Sequence, residues 1–216
     1  MVLVVIHSSG KNYELLTSGE VPRRKAEKAR YRTTKRTCIL ERKTMPTRSE
    51  IQDTLAASEK KVEAYFEGLS PEDLERPCTA SGVPGEAPWR AKDHYAHLTA
   101  NEQDIQILLR LSLTGGSLPG NLVTMSPEER LAWRNQQNQT YVNAHRDDSM
   151  ETLRTRLAAA RQDTLNLLGQ FTDEQLAAPV SSSLVRNMNA GDLFVANAQH
   201  AATHITWIEE GFRQGL

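Results

Sequence analysis

His200 and His204 stand four residues apart in the run from Leu193 to Ile208. In a helix, residues at that spacing lie one above the other on a single face. Two imidazoles so placed can reach one metal ion, as in other helix-borne histidine pairs. Going one turn at a time, Leu193, Asn197, His200, His204, Trp207 or Ile208 and Gly211 share this face, so the inward side carries the histidines. Asn189 suits the cap position, and Asp192 falls in the first turn, where negative charge complements the helix dipole. A pair alone does not define a site. One histidine packed into the core and one exposed by accident explain the same spacing, so a third ligand is needed.

A second long helix, expected to open at Trp89 and run to Leu109, offers two histidines. His97 shares a stripe with Asn101, Asp104, Ile105 and Leu108, while His94 lies on a neighbouring line one turn earlier and competes with it. An internal repeat bears on the choice. Leu69 to Pro77 aligns with Phe171 to Pro179 at an offset of 102 residues (171 − 69 and 179 − 77). In both halves a long helix precedes the motif, and a loop and a histidine-bearing helix follow it. The same offset carries His97 to position 199, one short of His200, which favours a tri-histidine site over isolated core residues.

Other polar residues near these stripes are weaker candidates. Asn101, Asp104 and Asn197 could orient an imidazole, hold substrate or move a proton, and are the weak candidates for catalysis. Glu102 is turned away from His97. Arg134 and Tyr141, on an unusually polar segment, are placed to meet an anionic substrate only if that segment flanks the site. Cys78, a loop cysteine without a partner, reads as incidental, and Trp89 and Trp207 as core or pocket wall.

The elements that must position these residues announce themselves by their caps. Thr47 with Glu50 reads as a capping box before an amphipathic helix carrying Ile51, Leu55, Val62 and Phe66. Ser70 followed by Pro71 starts a short helix, and Pro77 to Pro88 reads as loop. After a glycine-rich linker, Thr114 to Met125, Ser126 caps a polar helix reaching His145, expected as a lid or flank. Asp148 to Glu151 caps a helix with Leu153, Leu157, Ala160, Thr164 and Leu168 inward. Thr172 to Gln175 repeats the capping box, and Pro179 to Met188 is loop.

A chain of 216 residues with net charge −1, 12 glycines and 9 prolines clustered between periodic segments fits an all-helical domain plus a tail. No apolar run approaches the roughly 18 residues that span a bilayer. Balanced charge gives no global field for nucleic acid, so nucleic acid is an unlikely partner on this reading, and no membrane is expected. Two cysteines in unrelated contexts make no disulfide framework, which points to the cytoplasm. Residues 1–44 differ from the rest. Basic residues follow the apolar run Met1 to Ile6, the wrong order for a secretory signal, and the tract Arg23 to Arg36 is basic with no apolar stripe. They read as a poorly ordered extension, with residues 45–216 as the helical domain.

Trp89, Lys92-Asp93, Ala96-His97-Leu98 and the closing His200 and His204 resemble the DinB/YfiT-like superfamily over about residues 47 to 214. The resemblance implies a four-helix bundle, here with an additional polar helix in its central connection. It implies a divalent metal, nickel or zinc, held by His97, His200 and His204, and a homodimer. Related thiol-dependent proteins include the mycothiol-dependent maleylpyruvate isomerase type and bacillithiol transferases. They imply transfer of a low-molecular-weight thiol to a small-molecule electrophile in detoxification or stress response. Two departures stand out: Arg90 replaces the Ser or Thr that commonly follows the Trp, and nothing after the last helix matches the isomerase's C-terminal domain. The alternatives are a metal-dependent hydrolase, or a non-catalytic bundle with a structural metal that acts through a protein partner.

Overall fold

Short polar side chains start the helices by accepting hydrogen bonds from amides that a first turn leaves unpaired. In the computed structural model, which describes residues 45–118, 120–180 and 188–215, Thr47 opens α1 (Arg48–Glu67) with a complete capping box. Ser70 caps the one-turn α2 (Pro71–Glu75), and the chain then extends as β1 (Pro77–Thr79) and, after a loop, β2 (Trp89–Arg90). α3 follows (Ala91–Thr114), then the short α4 (Gly120–Thr124), α5 (Pro127–His145) and α6 (Met150–Leu168). Thr172 caps α7 (Asp173–Ala177), and Asn189 caps α8 (Ala190–Gln214), its side chain accepting from the Asp192 amide at 2.6 Å. The proposed extension, residues 1–44, lies outside the described residues.

The fold is all-α. α1, α3, α6 and α8 form a four-helix bundle in which α1 packs on α8, and α3 packs on both α6 and α8; α5 lies along α3 as the additional polar helix. Three boundaries differ from the sequence expectation. Trp89 does not open α3 but sits in β2, antiparallel to β1, and β1 itself lies in the stretch Pro77 to Pro88 expected to be loop. The helix begins at Ala91 because Arg90 stays extended (φ −83°, ψ 166°), with its amide donating to the Asp93 carboxylate at 2.8 Å. A guanidinium cannot accept a hydrogen bond, so Arg90 supplies only half a capping box and instead clamps Asp93 through its own nitrogens at 2.8 and 3.1 Å. The third difference is α4, a helical turn within the glycine-rich linker.

The repeat is visible in three dimensions. Pro77 bridges Arg90, the cap of α3, and Pro179 bridges Asn189, the cap of α8. Two apolar clusters fill the bundle. One holds Ile51, Leu55, Ile105, Leu108, Leu167 and Phe194; the other holds Val62, Phe66, Tyr95, Leu98, Leu153 and Ile205. Buried polar groups lie along α3 as well: Asn101 donates to Asn197 at 2.8 Å, Glu102 pairs with Arg161 at 2.9 Å, and Gln106 donates to the Ala160 carbonyl at 2.7 Å. These pairings offset part of the cost of burying such groups, while Asn101 Oδ1 and Asn197 Nδ2 have no hydrogen-bond partner among the described residues.

Candidate metal centre

α3 and α8 cross as antiparallel neighbours. As the α3 residue advances from His94 to His97 to Asn101, its partner on α8 retreats from His204 to His200 to Asn197. Two helices related by the repeat meet near the same position of each half, which is why an offset of 102 residues brings His97 opposite His200. The Nε2 atoms converge: His97 to His200 at 3.2 Å, and His204 to His200 at 2.9 Å. His97, His200 and His204 each offer a nitrogen within 4.8 Å of the others, a group that can hold a metal ion.

The donor set fits a metal on two grounds. Nitrogens that each bind one ion at about 2.0–2.1 Å must themselves sit roughly 3 Å apart, the spacing of His200 from both His97 and His204. The rings are also electrically prepared. Burial pushes His97 and His204 well below the ordinary histidine range, with the neighbouring imidazoles adding to the shift. Burial, helped by the Arg134 charge, brings His200 down to about 4. Neutral imidazoles leave their lone pairs available, as ligation requires. His97 and His204 are 2 % exposed, while His200 is partly open to solvent.

His94, the competing third ligand, is brought to the cluster but faced away from its centre. Its Nδ1 lies 2.7 Å from His204 Nδ1, and its Nε2 lies 2.8 Å from Thr79 Oγ1. Both ring nitrogens are thus engaged, and burial brings His94 down to about 4 against the opposing pull of Asp93. Asn101 and Asn197 bond each other across the bundle, one turn from His97 and His200. Asp104 is buried on the same stripe. Glu102 points away, to Arg161. Trp89 is buried with its indole N–H donating to Gln139 at 2.8 Å, and its ring lies 5.3 Å from that of His97. Trp207 is 44 % exposed and packs edge-on to His204 at 4.8 Å. Tyr141 stacks on His145 at 4.5 Å. Cys78 is fully buried, and its thiol is pushed up to about 12, chiefly by burial, so it is no ready nucleophile. Thr79 escaped the sequence reading. Its relation to His94 depends on a strand pairing that periodicity does not reveal.

The chain belongs to the DinB superfamily. Two stretches match it, residues 8–104 and 94–208, and the second contains all three converging histidines. No curated protein matches the sequence. Among solved structures the chain is similar to the colibactin self-resistance protein ClbS, determined in complex with a dsDNA. The TM-score is 0.59 at 13 % identity, over 78 % of this chain and 95 % of that one. At that identity the likeness shows the fold alone. It also corrects one expectation, that nucleic acid is an unlikely partner: ClbS has this bundle and is bound to DNA. The physical reason is that a net charge of −1 sums over the whole chain and says nothing about local patches that meet phosphates. Among the described residues no helix is long and apolar enough to cross a membrane.

Proposed function

We propose that this protein is a divalent-metal-dependent enzyme in which His97, His200 and His204 hold the ion, and that it transfers a low-molecular-weight thiol to a small electrophile. The observation that carries this reading is the convergence of three neutral imidazole nitrogens at 2.9 and 3.2 Å on one another. Nitrogen donors suit zinc and nickel. A divalent ion with only three protein ligands keeps a position open and favours the deprotonated form of a thiol that reaches it. The rest falls to the chain. His200 forms the solvent-facing edge of the cluster, with Trp207 beside His204 at the surface. Arg134 is half-buried, its charge reaches His97 and His200, and it has no carboxylate partner among the described residues. It is therefore placed to favour an anionic group on the thiol or the electrophile. The cytoplasm, where such thiols stay reduced, is the compartment this activity needs.

The test is elemental analysis of protein purified without a chelating tag, beside His97→Ala and His200→Ala/His204→Ala. Near-stoichiometric nickel or zinc that is absent from both variants supports the reading, as does thiol transfer that depends on added metal. A wild type that is metal-free and cannot be loaded overturns it. Loss of helicity in His97→Ala would instead indicate a structural metal.

A second reading, duplex DNA as a partner, takes its support from the ClbS complex and from the basic tract Arg23 to Arg36. It expects affinity for a duplex that falls steeply with salt and is lost when that tract is removed. No binding at low salt removes it.

A further inference from the structure

We propose that His94 and Thr79 are positioning residues that fix the tautomer of His204, making a two-residue support behind the metal centre. The inference rests on the metal reading above and adds residues to it. Its observations are a continuous chain of short contacts: His200 Nε2 to His204 Nε2 at 2.9 Å, His204 Nδ1 to His94 Nδ1 at 2.7 Å, and His94 Nε2 to Thr79 Oγ1 at 2.8 Å.

A neutral imidazole carries one N–H and one lone pair. When the lone pair of His204 Nε2 faces a metal, its hydrogen must sit on Nδ1 and is donated to His94 Nδ1. His94 then carries its own hydrogen on Nε2 and donates it to the Thr79 hydroxyl oxygen. Every member of the chain has one permitted state. Without metal the same chain can run in reverse, with the Thr79 hydroxyl donating to His94 Nε2 and His94 donating to His204 Nδ1. Metal therefore selects a direction, and a support able to accept at its far end strengthens ligation.

The support is unequal among the three histidines. His97 Nδ1 has no hydrogen-bond partner among the described residues. His94 is held by more than its nitrogens: its ring is 1 % exposed and packs edge-on against Trp89 at 5.2 Å. Thr79 reaches it because β1 pairs with β2, Thr79 opposite Trp89, and because β1 lies directly on α8. That approach needs Gly211, where any Cβ would stand 1.8 Å from the Cys78 carbonyl oxygen.

The test compares zinc affinity, by competition with a chromogenic chelator, in wild type, Thr79→Val and Thr79→Ser. Valine keeps the shape but cannot accept a hydrogen bond, so the metal-bound direction leaves His94 N–H stranded. A loss of about 10-fold in affinity is expected, at the lower end for outer partners of ligating histidines. Serine restores the acceptor and should return most of it. A second readout uses the wild type alone: imidazole nitrogen NMR of the zinc-loaded protein should show His94 protonated at Nε2. Equal affinity in wild type and Thr79→Val, or His94 protonated at Nδ1 in the loaded protein, overturns the inference while leaving the metal centre standing. A wild type that binds no zinc or nickel overturns both. If Thr79→Val does not fold, the NMR assignment decides.

Discussion

Two buried polar sites on α3 stay folded by opposite means. Glu102 and Arg161 form an ion pair at 2.9 Å, and Arg161 also donates to the Leu55 carbonyl at 2.8 Å. There each charge answers the other. His94, His97 and His204 are as deeply buried, yet no carboxylate accepts from their ring nitrogens among the described residues, and they stay uncharged because burial disfavours the proton. In the first arrangement opposite charges neutralise each other within the pair. In the second, His97 and His204 point ring nitrogens at one spot together with His200, and His94 stands behind His204. Burial of polar groups is thus not by itself a functional signal; convergent lone pairs without a counter-charge are.

Breaking the closed site should have the largest effect. Arg161→Met leaves the Glu102 carboxylate buried without a partner, at an expected cost of about 3–5 kcal/mol. Thermal unfolding should show a midpoint roughly 10 °C lower, taking about 2–4 °C per kcal/mol for a chain of this size. Adding Glu102→Leu should recover much of the loss, since a hydrophobic replacement often matches an ion pair. Metal uptake below the midpoint should be unchanged in both variants. If Arg161→Met behaves like a surface substitution, the contrast between the two sites is wrong.

Gly211→Ala probes the other site with a smaller effect. The new methyl meets backbone, not a side chain that can swing aside: Cys78 O at 1.8 Å, C at 2.6 Å and Cα at 2.9 Å. β1 must retreat, at about 1–3 kcal/mol for overpacking. Because β1 carries Thr79, zinc affinity should fall together with stability. Arg161→Met lowers stability alone. Calorimetry and chelator competition on the same pair of variants check this, and a Gly211→Ala protein with wild-type zinc affinity would uncouple β1 from the histidines.

The line between what the sequence reveals and what it hides follows the range of the interactions. Thr47, Ser70, Ser126, Thr172 and Asn189 cap helices where the sequence places them, because a cap acts over three residues, while α6 takes Ser149 as its cap, within the expected stretch Asp148 to Glu151. The helical stripe bearing His200 and His204 is equally local. The crossing of α3 and α8 was partly readable through the repeat, which supplies long-range information in local form. Spacing alone left His94 and His97 as alternatives, since neighbouring lines on a helix differ by less than a crossing can absorb. The two-strand pairing, the seat of Thr79 and the approach of Cys78 to Gly211 rest on contacts between distant segments and leave no periodicity. Glu102 was rightly set apart from the histidine stripe, but its partner lies 59 residues away on α6.

The finest contrast is in pH. For His94 the ordinary value is 6.5, and burial in the folded state brings it to about 4. Between those values the unfolded chain takes up a proton that the folded chain refuses, so acid favours unfolding. The stabilisation is full above about pH 6.5 and is lost progressively as pH falls toward 4, at up to about 1.4 kcal/mol per pH unit for one such histidine. His97 and His204 are shifted in the same direction and add to the slope. Metal-free protein should therefore lose thermal stability steadily from pH 7 to pH 5. Bound zinc should steepen the fall, because protons compete for the same nitrogens. In His97→Ala the metal-free slope should be shallower by one histidine's share. A midpoint that stays level from pH 7 to pH 5 would mean that these imidazoles take up protons in the fold as readily as in the unfolded chain. Burial would then not be what holds them neutral, and the distinction between the two buried sites would collapse.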